Sequence, residues 1–367
     1  MARYRLEEIA PICQGVVPVS NQYWLLNLDA VESNTGRVLE YVYVDYAQIS
    51  ASTIAFDESN VLYSKLRPYL NKVVLPEKPG YATSEMLSLK PDSKVITREY
   101  LAYFLRSPSF VAYINGKTSG AKMPRANISD LKAVEIECPS ISKQKGVVSA
   151  FAKLECIVRK RQQQLSAFDD LIKARFVEMF GDCKTNPKAW NTVELGDISD
   201  VGSSKRVFVE ELRETGIPFY RGTEVGALAE GKAITPELFI TQEHYEELIE
   251  ATGKPLVGDL LMPSICPDGR IWVVDTEEPF YFKDGRVLWV HSISKEFDPV
   301  FLLYTLKDRI MTDYSSIASG TTFAELKIFA LKQCRVFAVP MDQQKQFVSF
   351  VKQIDKSKLV RRIFTIV

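Results

Sequence analysis

This chain is written twice. Lys143, Gln144, Lys145, Gly146, Val147, Val148 and Ser149 align at an offset of 200 with Gln343, Gln344, Lys345, Gln346, Phe347, Val348 and Ser349, and four of the seven are identical. Ile128, Leu131 and Lys132 fall on Ile328, Leu331 and Lys332, and Ser119-Gly120 falls on Ser319-Gly320. Further back, Val61-Leu62 with Pro68 matches Leu260-Leu261 with Pro267, and Leu6 with Ile9 matches Leu195 with Ile198. Matches in order at a drifting but narrow offset mark a tandem repeat, so one fold is expected to occur twice.

Each copy ends in a helical pattern. After Pro139, the residues Phe151, Leu154, Val158, Leu165, Phe168, Ile172 and Met179 are spaced by threes and fours or their sums, which is a heptad seam. No proline interrupts 147–180 and Gly181 follows as a stop, so a helix of roughly 35 residues, on the order of 50 Å, is available. The second helix starts at Met341 with Phe347, Phe350, Ile354 and Leu359 as its seam and is shorter, 27 residues following Pro340. Two such helices can pack antiparallel as a coiled coil. The short one would then cover only part of the long one, leaving Phe168, Ile172 and Phe176 in need of another partner, such as a second copy of this chain. Before each helix, β-rich runs at 38–44, 61–66, 272–275 and 287–290 alternate with helical stretches at 99–107 and 242–250. The expected fold class is therefore mixed α/β (α+β): two pseudo-repeated globular domains separated by long helices. The boundaries expected are 1–139, 140–181, 182–340 and 341–367.

Composition removes several chemistries. The 46 basic residues balance the 46 acidic ones, so any nucleic-acid binding has to be local. Six scattered cysteines without a CxxC pair suggest neither zinc nor disulfides, and two histidines, His244 and His291, leave little room for metal or triad chemistry. No apolar run is long enough for a membrane helix and the start is charged, so a cytoplasmic address is expected. Gly116-Lys117-Thr118 lacks the glycine of a phosphate loop five residues earlier, where Val111 stands. Asp268 with Glu325 and Lys327 supplies the residue types of a metal nuclease, but the first copy has no match, and surface charge is the better account. No metal site, cofactor or catalytic residue is expected in this chain.

What stands out is local. Residues 59–76 hold Lys65, Arg67 and Lys72 with Tyr63 and Tyr69 and no acid; residues 100–129 hold Arg106, Lys117, Lys122 and Arg125, again with no acid. Lysine and arginine anchor phosphates, while asparagine, tyrosine and arginine can read base edges. Ordinary solvated turns would carry the same residues.

Three stretches resemble the specificity (S) subunits of type I restriction-modification systems. They are Tyr63-Ser64-Lys65-Leu66-Arg67-Pro68-Tyr69-Leu70-Asn71-Lys72, the turn Ser119-Gly120-Ala121-Lys122-Met123-Pro124-Arg125, and Lys143-Gln144-Lys145 leading to Arg175-Phe176-Val177-Glu178-Met179-Phe180-Gly181. The resemblance implies two target-recognition domains, each reading half of a split double-stranded DNA site, joined by helices that form an antiparallel coiled coil. It implies docking of two methyltransferase (modification) subunits and of restriction/translocase subunits, which would bring S-adenosylmethionine, ATP and Mg2+. Adenine methylation and ATP-dependent cleavage would belong to that complex. Carried over by match, Lys65, Arg67, Tyr69, Asn71, Lys72, Lys117, Ser119, Lys122 and Arg125 are candidate DNA-binding residues of the first copy, and Arg270, Thr321 and Thr322 of the second. A different reading is a truncated, specificity-like assembly or regulatory protein that binds modification subunits without defining a site, with self-association through the shortened helix.

Overall fold

The computed structural model describes residues 2–120, 122–320 and 324–363, with side chains up to Lys358. Two compact units result, Met1–Arg159 and Lys160–Val367, and the helix Ile141–Phe180 contributes to both. Helices and short strands alternate in each, the mixed fold expected of the repeat.

The first unit is closed by an antiparallel pair in which Ala2–Arg5 lies against Glu135–Cys138. Inside, Val61–Ser64 is the central strand of a three-stranded sheet, flanked by Val73–Val74 and Met86–Leu89. Every residue of Val61–Ser64 is buried, which explains its continuous apolar run. Its Val61 and Tyr63 pack on Leu101, Leu105 and Phe110. Leu101 and Leu105 are four apart in Arg98–Arg106 and therefore share a face; Thr97 starts that helix by accepting from the Tyr100 N–H. Ser107 starts the next, Pro108–Asn115, in the same way, with Pro108 at its first position. A second sheet, ordered Val42–Val44, Tyr23–Leu26, Gly80–Ala82 and Ile54–Phe56, has its own core around Trp24 and Phe56.

The second unit repeats the frame. Thr192–Glu194 pairs with Arg335–Phe337, and Leu260–Pro263 pairs with Val287–His291 as Val61–Ser64 pairs with Met86–Leu89. The strands Phe239–Ile240, Ile217–Tyr220 and Tyr281–Phe282 repeat the antiparallel and parallel pairings of Val42–Val44, Tyr23–Leu26 and Gly80–Ala82, and the second unit departs from the first by adding the helices Gly222–Ala229 and Gln242–Thr252. One residue holds the frame identically in both units. The Gln144 side chain is fully buried, donates to the carbonyls of Val95 and Pro139 at 2.8 and 2.9 Å, and accepts from the Thr97 N–H at 2.9 Å. Gln344 donates to Glu296 and Val339 at 2.8 and 2.7 Å and accepts from Asp298 at 2.8 Å. Thr97 and Asp298 are the capping residues of Arg98–Arg106 and Pro299–Ile317, so each glutamine ties the start of the long helix to the start of a domain helix.

The helices correct the expected seam. Within the second unit, Met341–Ile363 runs antiparallel to the last part of Ile141–Phe180: Lys358 meets Asp169 at 2.7 Å, Arg175 lies over Phe350, and Phe347 packs on Phe176 and Phe180. Ile172 and Phe176, expected to lack a partner, are 1% and 2% exposed in a core that also holds Phe180, Phe301 and Phe347; Phe168 is half-buried. Met179, Phe350 and Ile354 pack on that core, and Leu165 is partly covered. It is the first part of the seam that lies open: Phe151, Leu154 and Val158 are 46%, 57% and 44% exposed, with Ile157 beside them at 55%. Phe151 stacks on Tyr103, but the stripe is otherwise bare. The heptad pattern extends along the whole helix, and its aromatic residues near Gly181 pack both on the antiparallel second helix, through Phe347, and on the domain core, through Phe301. Thr321, Thr322 and the side chain of Leu359 lie outside the described residues. Among the described residues no helix is long and apolar enough to cross a membrane.

Candidate nucleic-acid interface

The two basic stretches of the first unit, separate in sequence, meet in space. Strand Thr118–Ser119 pairs with Arg125–Ala126 as a small hairpin. This hairpin docks on the end of Val61–Ser64: the Arg67 N–H donates to the Pro124 carbonyl at 2.7 Å and the Ala126 N–H to the Lys65 carbonyl at 2.8 Å. Arg67 and Asn71 have φ of 49° and 51° and bracket the 3-10 turn Pro68–Leu70. Left-handed backbone at non-glycine residues costs about 1–2 kcal/mol each and is maintained only where the surroundings impose it. Gly120 at φ 93° and Gly320 at φ 125° close the hairpins of the two copies, a position open to glycine without strain.

This turn divides the candidate residues. Arg67, Tyr69, Lys117, Ser119 and Lys122 are exposed, and Lys65 is half-buried. Among the described residues Arg67 and Lys122 pair with no carboxylate, whereas Lys117 lies 3.5 Å from Asp130. Asn71 and Lys72 turn inward, contrary to a role at the surface. The Asn71 amide is 9% exposed and donates to the Arg106 carbonyl at 3.1 Å; Lys72 donates to the Leu28 carbonyl at 2.6 Å, and burial lowers its pKa against the opposing pull of Asp29. Arg106, counted among the basic residues of the second stretch, is also structural, clamping the Val73 carbonyl at 2.6 Å. Arg125 is held by Glu85 at 2.8 Å; that hydrogen bond lowers the carboxyl pKa and raises that of the guanidinium.

In the second unit the hairpin Ala318–Ser319 with Glu325–Leu326 occupies the same place, and the Leu326 N–H donates to the Ser264 carbonyl at 2.8 Å. The cations around it are paired. Arg270 meets Asp268 at 2.8 Å, Arg286 meets Glu325, and Arg221 meets Glu224 and Glu237. Beside them opens a groove of about 580 Å³ lined by Val209, Leu212, Phe219, Arg221, Arg270 and Arg286 among others. Asp268 and Glu325 are thus engaged by arginines, and among the described residues no group of three His, Cys, Asp or Glu side chains could hold a metal ion. Sequence reading missed Glu85, Arg286 and the two glutamines. The visible signal for the first two was the exchange of Arg125 for Glu325 at matching repeat positions.

Residues 3–167 and 187–363 match the family model described as the type I restriction modification DNA specificity domain. A putative type I restriction enzyme specificity subunit of Haemophilus influenzae is 24% identical over 265 residues, covering 71% of this chain and 65% of its own length. The MjaVIII specificity subunit of Methanocaldococcus jannaschii is 20% identical over 340 residues, covering 86% and 77%. Two solved structures share the fold. One, from work on assembly and conformational transition of a type I R-M system, superposes with a TM-score of 0.55 at 16% identity over 99% of this chain and 92% of the other. The S subunit from M. genitalium gives 0.53 at 14% identity over 99% and 91%.

Proposed function

The chain belongs to the type I restriction modification DNA specificity family, and on that premise we propose that it is the sequence-recognition subunit of a type I restriction-modification complex. It reads a bipartite double-stranded site, one half per unit, and catalyses nothing itself. The observation that carries this reading is one frame built twice with different surfaces. The Gln144 and Gln344 ties are the same, while Arg67 and Lys122, which pair with no carboxylate among the described residues, give way to paired cations and a groove in the other unit. A protein that reads two unlike half-sites needs a constant scaffold and unlike readers.

Methyltransferase subunits dock on the open stripe of Phe151, Leu154, Ile157 and Val158, and restriction subunits join them. S-adenosylmethionine, ATP and Mg2+ belong to those partners, and the complex works in the cytoplasm. The test is salt-dependent DNA binding by the assembled complex. Arg67→Ala with Lys122→Ala should weaken binding and reduce the slope of log affinity against log salt by about 0.9 for each phosphate no longer neutralised. Unchanged affinity and slope would remove the turn from the interface.

A further inference from the structure

Two ion pairs occupy the same place in the two units with their charges exchanged. The Lys65 N–H donates to the Glu85 carbonyl at 3.0 Å and its carbonyl accepts from Ala126; the Ser264 N–H donates to the Arg286 carbonyl at 2.9 Å and its carbonyl accepts from Leu326. This backbone register makes Glu85 the counterpart of Arg286, and Arg125 the counterpart of Glu325. The pairs Glu85–Arg125 and Arg286–Glu325 are therefore one pair with its partners swapped across the joint between strand and hairpin.

The sides exchange, but the exposure does not. The carboxylates Glu85 and Glu325 are 25% and 26% exposed, while the guanidiniums Arg125 and Arg286 are 43% and 57% exposed. Both units thus place a sheltered carboxylate beneath an outward arginine. Stability is a weak reason for this, because a surface ion pair contributes about 0–1 kcal/mol whichever side carries which charge. What the arrangement supplies is an arginine fixed by one edge with donors left over. Arg125 gives Nε and one Nη to Glu85, leaving the other Nη with only a 3.5 Å approach to the Met123 carbonyl. Arg286 binds Glu325 through Nη1, leaving Nε and Nη2.

We propose that Arg125 and Arg286 are the base-reading arginines of the two units, each donating to the O6/N7 edge of a guanine in its half-site, and that Glu85 and Glu325 are positioning residues. The proposal rests on the reading of the chain as a DNA-recognition subunit. Guanine is the chemistry favoured over a phosphate for an electrostatic reason. A guanidinium neutralised by a carboxylate releases few counterions on meeting a phosphate, yet keeps directional donors that match the guanine edge. Arg67 and Lys122, with no carboxylate partner among the described residues, are the better phosphate ligands. Around Arg286 the groove lining, which includes Val209, Leu212, Arg221 and Arg270, contains no carboxylate, and the nearby Glu224, Glu237 and Asp268 are held in ion pairs by Arg221 and Arg270.

The test uses the whole complex with its methyltransferase subunits. Methylated sites are mapped in cells and binding is measured on matched and single-substituted DNA. Arg125→Lys should relax one position in one half of the motif, and Arg286→Lys one position in the other, by roughly 5- to 150-fold in discrimination, with the salt slope unchanged. Glu85→Gln and Glu325→Gln should relax the same two positions less, which a purely structural role would not do. In Arg125→Ala and Arg286→Ala, which remove the charge that lysine keeps, a uniform loss on all sequences with a slope lowered by about 0.9 per arginine would make these arginines phosphate ligands and overturn the assignment. A wild-type split motif left intact by both lysine variants would overturn it as well, without touching the functional reading. A wild-type complex that methylates no motif would overturn both.

Discussion

Gln144→Leu should destabilise the first unit and Gln344→Leu the second, each without the other. Gln144 makes three hydrogen bonds from a fully buried side chain, to Val95, Pro139 and Thr97. A leucine of similar size fills the space but leaves two carbonyls and one N–H without partners. An unsatisfied buried group costs about 1–3 kcal/mol, and because the groups around Gln144 are only partly buried the lower figure applies, giving about 3 kcal/mol in all. Native-state hydrogen exchange resolves the units separately, which a single unfolding transition of a two-unit chain does not. Amides of Arg98–Arg106, the helix that Thr97 begins, should exchange on the order of 100-fold faster in Gln144→Leu, with Pro299–Ile317 unaffected. Gln344→Leu should do the reverse. Gln144→Glu keeps the acceptor for Thr97 but sets a carboxylate against two carbonyls, and should cost at least as much. Less than a tenfold change at Arg98–Arg106, or an equal loss in both units from one substitution, would refute the argument that each glutamine ties its own unit.

Phe347→Ala removes a fully buried ring that packs on Phe176, Phe180 and Tyr304, and should cost the second unit about 3–5 kcal/mol, read by the same exchange measurement. Burial raises the Glu224 carboxyl, but hydrogen bonds from Arg221 and Thr223 outweigh it and bring its pKa down to about 2. Its folded pKa is depressed, so the unfolded state binds more protons between about 4.5 and about 2, and the second unit should lose stability as pH falls through that window. Glu224→Gln should flatten that part of the acid profile, as followed by exchange or near-ultraviolet circular dichroism. Leu154→Glu with Ile157→Glu, at residues 57% and 55% exposed, should leave folding within about 0.5 kcal/mol and reduce co-purification with methyltransferase subunits.

The repeat was legible because it rests on matches in order at a narrow range of offsets, and the structure gives it a cause. Gln144 and Gln344 recur because each satisfies the same three backbone groups, although the sequence marked them only as alignment. Strands such as Val61–Ser64 and Val287–His291 and helices such as Arg98–Arg106 and Gln242–Thr252 follow apolar runs and caps that a sequence displays directly. The seam was legible as periodicity but not as partnership. Spacing does not distinguish Ile172, which enters the domain core, from Leu154, which stays open, because both lie on the same heptad seam. Within the basic turn, charge alone did not separate Arg67 from Lys72. Whether a lysine faces solvent or the Leu28 carbonyl depends on the left-handed residues Arg67 and Asn71; asparagine tolerates that backbone, but nothing in the Arg67 side chain announces it. Glu85 was out of reach for another reason: its partner Arg125 is far along the chain, and the pairing exists only once the hairpin docks on Lys65.

If two units of one frame read two halves of a DNA site, the modified DNA must carry a split motif. The most direct test is to express this chain with its methyltransferase subunits in a host free of other adenine methylation and to sequence the modified positions. One reproducible split motif is expected, two short specified runs separated by an unspecified gap of fixed length. Stable assembly with methylation absent or scattered without a motif would contradict it and favour a chain that assembles the complex without defining a site.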